Sequence, residues 1–222
     1  MSNETTSAIE NIEKLMTEKN VEFRSFKINN VEERKNDDGE LELVVEGVAC
    51  VFNKETVLYH GKNYELKEVV DRSALNKADM SDVIFNYNHC GRVYARTRNK
   101  SLELSLKEDG LHMRAVLMAE DEGHKQLYRD IKRGLLDKMS FAFFVEKSEF
   151  NYVEDESGYI SETRTILEIS RVLDVSVVDF PAYDTTSISA RRALGAVSFE
   201  ERAVSIRQAK NKLKLKLKLE GV

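Results

Sequence analysis

Residues 101–118 read SLELSLKEDGLHMRAVLM. Apolar and polar residues alternate on both sides of Asp109-Gly110. Alternation at period two marks a half-buried strand, and Asp-Gly tolerates the backbone of a tight hairpin turn. The stretch predicts an antiparallel pair and sets the period against which the rest of the chain is read.

Working outward, VEFRSFKI from Val21 alternates in the same way and predicts a strand. RKNDDGE follows as a turn cluster. LELVVEGVACVFN predicts a long strand with Gly47 inside it, the signature of a bulge. TVLYHGKNYELKEVVDRSALNKAD predicts a turn at His60-Gly61, a short strand, and a short helix capped by Asp71 or Ser73. SDVIFNYNHCGRVYARTR predicts strand, turn, strand. EDEGHKQLYRDIKRGLLDK spaces Leu127, Ile131 and Leu135 for a helix. MSFAFFVEKSEF and RTILEISRVLDVSVVDF predict strands joined by the polar loop NYVEDESGYISE. Many strands with few helices and no regular β-α alternation exclude a doubly wound parallel sheet. The expected fold is mainly β with flanking helices (α+β), an antiparallel β-barrel.

The 222 residues suit one domain with tails: an arm over 1–20, helical or disordered, a body over 21–197, and a tail over 198–222. The tail carries seven Lys/Arg against three Asp/Glu, a net of +4 that leaves −9 on the rest of the −5 chain. Its KLKLKLKL run has the period of an amphipathic strand, after a segment that reads as helical. The tail is read as a solvated basic extension, or as one that meets an acidic partner or is removed by processing. The acidic body argues against a general nucleic-acid binder. No run approaches the ~18 apolar residues of a membrane span, and the N-terminus lacks a signal-peptide pattern. Two cysteines without CxxC spacing fit a reducing cytoplasm.

FNYNHCGRVYART, residues 85–97, sets His89 beside Cys90. A zinc site needs three or four converging ligands. His60, His112 and His124 are scattered, with no HxxxH or HExxH, so no metal and no cofactor is expected. Adjacent side chains near a strand end point to opposite faces, which also disfavours a Cys90–His89 nucleophile pair. Ser140 lies in the apolar run LLDKMSFAFFV, without a GxSxG elbow. On composition alone it reads as a satisfied core serine. Asp174, in VLDVSVVDFPAY, needs a partner if buried. An imidazole N–H, the backbone, Arg171 or Arg164 would each serve.

Five stretches in this order resemble one family: VEGVACVFN, FNYNHCGRVYARTRNKSLEL, EDGLHMRAVL, IKRGLLDKMSFAFFV and VLDVSVVDFPAYDTTSISARR. The family is the prohead (capsid maturation) serine proteases of tailed bacteriophages, distantly similar to the herpesvirus assembly proteases. The resemblance runs from about Phe23 to Arg192. It implies a barrel of the herpesvirus-protease-like type, with His89 as general base, Ser140 as nucleophile and Asp174 as the group that orients the histidine. Glu168 and Asp179 are the alternatives for the third role, since the family often has Glu there and the herpesvirus relatives use a second histidine. Cys90 stands where the family commonly has Asp, and Ala142 where it commonly has Gly. Arg92 and Arg96 read as surface charges, with electrostatic help to catalysis as the alternative. The implied partners are the major capsid protein, the scaffolding protein and the protease itself, as substrate and in self-association. The implied place is the assembling prohead in the bacterial host cytoplasm.

Overall fold

The computed structural model describes residues 21–179 and 198–219. The expected arm over 1–20 lies outside them. Ten strands are seen: β1 (Val21–Lys35), β2 (Leu41–Val51), β3 (Thr56–His60), β4 (Tyr64–Val70), β5 (Ile84–Tyr87), β6 (Cys90–Arg96), β7 (Leu102–Leu106), β8 (Gly110–Met118), β9 (Lys138–Glu154) and β10 (Ile160–Val178). Among the described residues two α-helices accompany them, α1 (Glu122–Lys132) and α2 (Phe199–Leu219). The strand order is β3-β4-β10-β9-β1-β2-β8-β7, with β5 on β10 and β6 on β5.

The fold is mainly β with flanking helices, as expected. Two features depart from an antiparallel barrel. β10 runs parallel to both β4 and β5, so the sheet is mixed. Among the described residues no pairing joins β3 to β7, the two ends of the path, so hydrogen-bonded closure is absent. The sheet nevertheless curls around one core. Leu43 and Val45 of β2, Leu111 and Met113 of β8, Phe141 and Phe143 of β9, and Val172 and Val175 of β10 belong to a single apolar cluster.

The 101–118 hairpin forms, with Leu106 opposite Leu111 and the Lys107 N–H bonded to the Gly110 carbonyl. Gly110 is required by close approach, because a Cβ there would meet the Cys50 carbonyl oxygen at 2.0 Å. Gly47 faces an irregularity in β1 between Ile28 and Asn30. Residues 71–78 form turns instead of the expected helix. Asp71 accepts bonds from the Ser73 N–H and hydroxyl, a local pattern that competes with helix formation. α1 ends at Lys132, leaving Leu135 outside it and exposed. The loop expected at NYVEDESGYISE shrinks to five residues, because β9 and β10 stay paired up to Glu154 and Ile160.

The KLKLKLKL segment is helical and continues α2. The start of α2 has a core to complete. Phe199, Ala203 and Ile206 pack with Leu58, Tyr64, Leu66 and Ile160, and Phe199 stacks on Tyr59 at 3.7 Å. Arg202 grips Glu162, which also accepts the Tyr64 hydroxyl at 2.6 Å.

Candidate active site

One extra residue in β10 decides which side chains meet. Val172 pairs with Phe143 and Asp174 with Ala142, leaving Leu173 as a bulge. The bulge reverses the in-out parity of the strand. Val172, Val175 and Val177 all turn into the core, while Leu173 joins Val21, Phe23, Ala142 and Phe144 on the opposite face. Asp174 and Ser176 share that face by the two-residue repeat of a strand. Ser140 of β9 lies directly across from Ser176. Ser140 is therefore a diagonal neighbour of Asp174, about 7–8 Å away backbone to backbone.

His89 arrives from the β5–β6 hairpin. Tyr87 pairs with Cys90, so Asn88 and His89 are the two turn residues, at φ 51° and 58°. Positive φ at both centres is the type I′ pattern that matches strand twist. Such φ is uncommon outside glycine, and Asn tolerates it better than most residues. Neighbours hold the turn. The Asn88 N–H donates to the Val177 carbonyl at 2.8 Å. The Asn88 amide donates to Asp179 at 2.9 Å and accepts the Asp179 N–H at 3.1 Å, and the Tyr87 hydroxyl donates to the same carboxylate. Burial, then Asp179, pushes the Tyr87 phenol up to about 12.

In this setting His89 Nδ1 lies 2.7 Å from Asp174 Oδ1, and both side chains are about nine-tenths buried. Phe23 of β1 meets the imidazole edge to face at 4.5 Å. Asp174 Oδ1 also accepts a bond from Ser176 Oγ at 2.7 Å, and Ser176 touches the Asn86 side-chain amide. Ser140 is 1% exposed, and its hydroxyl has no hydrogen-bond partner among the described residues. A cleft of about 440 Å³ opens beside the turn, lined in part by Tyr87, Tyr94, Asp130 and Asp179.

The three expected residues thus come together on one face. The alternatives for the acid go elsewhere. Glu168 lies six positions back along β10, about 20 Å at strand rise, and faces Lys77 at 3.7 Å. Asp179 braces the turn. Arg164 and Arg171, the other partners considered for Asp174, pair with Glu22 and Asp79. Arg92 pairs with Asp121, whose carboxyl that contact helps hold at about 2, and Arg96 pairs with Asp82. The remaining histidines have local partners: His60 with Glu65, His112 with Asp109, and His124 accepting the Met118 N–H. Cys90 Sγ rests near the Tyr87 carbonyl at 3.7 Å, and burial followed by Asp174 pushes its thiol up. Ser176, Asn86 and the Asn88–Asp179 brace were not singled out from the sequence. The spacing of Asp174 and Ser176 within DVSVV was the available signal.

Three comparisons with known proteins bear on this arrangement. The model of the caudovirus prohead serine protease family matches residues 29–198. No curated protein matches the chain. Among solved structures, the bacteriophage T4 capsid assembly protease is similar at 11% identity, covering 72% of this chain and 98% of that one, with a TM-score of 0.42. On the family match, which spans most of the chain, this protein belongs to the caudovirus prohead serine proteases and is a serine protease.

Proposed function

We propose that the chain is the endopeptidase of capsid maturation and that Ser140, His89 and Asp174 carry its chemistry. The observation that supports this most directly is the 2.7 Å His89–Asp174 contact on the face that presents the unpartnered Ser140 hydroxyl. An imidazole whose Nδ1–H is given to a carboxylate keeps its Nε2 lone pair for a proton. In the proposed reaction Nε2 takes the Ser140 proton as Oγ attacks the scissile carbonyl. An acyl-enzyme forms, the leaving amine takes the proton from the imidazolium, and water completes hydrolysis by the reverse route. Asp174 holds the tautomer and stabilises the imidazolium. A buried hydroxyl without a partner is costly, by about 1–3 kcal/mol, and hydrogen bonds of this kind commonly tighten only with substrate bound.

The substrates in this reading are the scaffolding protein or the scaffold domain of the major capsid protein, and the protease itself. The enzyme acts inside the prohead in the host cytoplasm. Residues 21–197 form the catalytic body, with the start of the 198–222 tail packed on it, while the arm and the exposed end of the basic tail direct it into the prohead and are trimmed by self-cleavage. Co-expression with the capsid and scaffold proteins tests the reading. Ser140→Ala and His89→Ala are expected to abolish their cleavage; cleavage undiminished in Ser140→Ala sinks it.

A further inference from the structure

Ser176 is fully buried and Asn86 is 2% exposed, so neither can exchange its partner for bulk water. They occupy paired positions on β10 and β5, and Ser140 is opposite Ser176 on its other side. Ser176 Oγ lies 2.7 Å from Asp174 Oδ1 and also touches Asn86 Oδ1. A hydroxyl carries one proton. Were that proton turned to Asn86, oxygen lone pairs of Ser176 and Asp174 would confront each other at 2.7 Å. With the proton on the Asp174 side, Ser176 must accept from Asn86, which places the amide nitrogen toward it. A half-turn of the amide exchanges its oxygen and nitrogen, and hydrogen-bond logic decides the choice. Two donors, the Ser176 O–H and the His89 Nδ1–H, then converge on one carboxylate oxygen.

We propose that Asn86 and Ser176 are positioning residues for the Asp174–His89 pair. A one-way chain of hydrogen bonds runs from the Asn86 N–H through the Ser176 hydroxyl to Asp174 Oδ1. It keeps the carboxylate from rotating and aims it at Nδ1, which fixes the imidazole tautomer that keeps the Nε2 lone pair free for a proton. The inference rests on the protease reading above for its catalytic meaning, while the chain itself is tested without catalysis.

Ring ¹⁵N shifts of His89, recorded in the full-length Ser140→Ala protein, report the tautomer. Nδ1–H is expected to dominate, and adding Ser176→Ala is expected to mix the two tautomers. In the active protein, Ser176→Ala should lower kcat about tenfold or more with KM unchanged, and Ser176→Thr, which keeps the hydroxyl, should restore most of it. Asn86→Asp swaps the donor for an acceptor and draws the Ser176 proton away from Asp174, so its loss in kcat should at least equal that of Ser176→Ala. Thermal unfolding of each variant separates these effects from loss of fold. Wild-type kcat with an unchanged tautomer in Ser176→Ala, or wild-type kcat in Asn86→Asp, overturns the proposal. If cleavage proves independent of Ser140, the protease roles fall, and the tautomer measurement still decides whether the chain orients the imidazole.

Discussion

His89 sits at φ 58°, a conformation it does not favour by itself. Asn88, one residue earlier, is the fixing point through its paired bonds with Asp179. Asn88→Ala forces a Cβ-bearing residue without the local amide into left-handed backbone, at roughly 1–2 kcal/mol, and removes the brace. Asn88→Gly removes the brace alone. Both should lower kcat at least tenfold, with the melting temperature falling more in Asn88→Ala; full kcat in Asn88→Gly would make the brace dispensable. At Cys90 the opposite holds. Its thiol is pushed up by burial and by Asp174, so little thiolate exists at neutral pH. Iodoacetamide should label it slowly at pH 7.5, and Cys90→Ser should retain most of the cleavage rate. Loss of most activity in Cys90→Ser would restore the thiol as a participant.

The first half of β1 is fastened to β4 and β10 by buried charge. Arg24 bonds Glu68 and Glu22, and Arg164 bonds Glu22 at 2.7 Å and 2.8 Å and Glu68 at 3.2 Å. Two positive and two negative groups balance. Breaking such a set by removing one partner costs about 3–5 kcal/mol, and Glu68→Ala should show this as a lower urea midpoint. Burial by itself would raise the Glu22 carboxyl, and Arg24 and Arg164 outweigh it, leaving the group below its ordinary value. Its contribution is therefore complete above the ordinary carboxylate range near pH 4.5 and is lost as pH falls through the depressed value. Urea midpoints measured from pH 7 downward should fall below that range, and less steeply in Glu22→Gln.

Elements with a clean period were legible in the sequence. The 101–118 hairpin, the Val21 strand, the apolar parts of β9 and β10, and α1 all followed from alternation or helical spacing. Others obeyed different physics. NYVEDESGYISE looks like a loop because it is polar, yet backbone pairing enters it from both ends, up to Glu154 and Ile160. KLKLKLKL has a strand's period but extends an anchored helix, and among the described residues no strand pairs with it. His89, Ser140 and Asp174 were nameable through family resemblance. Ser176 and Asn86 were not: the Asp174–Ser176 spacing is a strand repeat like many others, and Asn86 meets Ser176 only through the parallel β5–β10 pairing, which neither segment announces alone.

Across the whole molecule, the proposed nucleophile is closed off. Ser140 is 1% exposed, on a strand flanked by β1 and β10. If scaffold is the substrate as proposed, dilute isolated protein should hydrolyse scaffold peptides slowly because of this burial; fast turnover by dilute monomer would contradict this. At the far end of the chain, side chains 211–217 of α2 are exposed, whereas Phe199 is buried. Deleting residues 211–222 should leave unfolding stability within about 0.5 kcal/mol of the full chain, while Phe199→Ala should cost about 3 kcal/mol. The position of β10 has a further effect, on the order of events during synthesis. It is the last of the ten strands to be made, yet it lies between β9 and β4 and supports β5 as well. Until its C-terminal half leaves the ribosome, the β5–β6 hairpin has no sheet to join and His89 has no carboxylate. If the proposed roles of His89 and Asp174 hold, chains that stop before β10 should be unable to cleave.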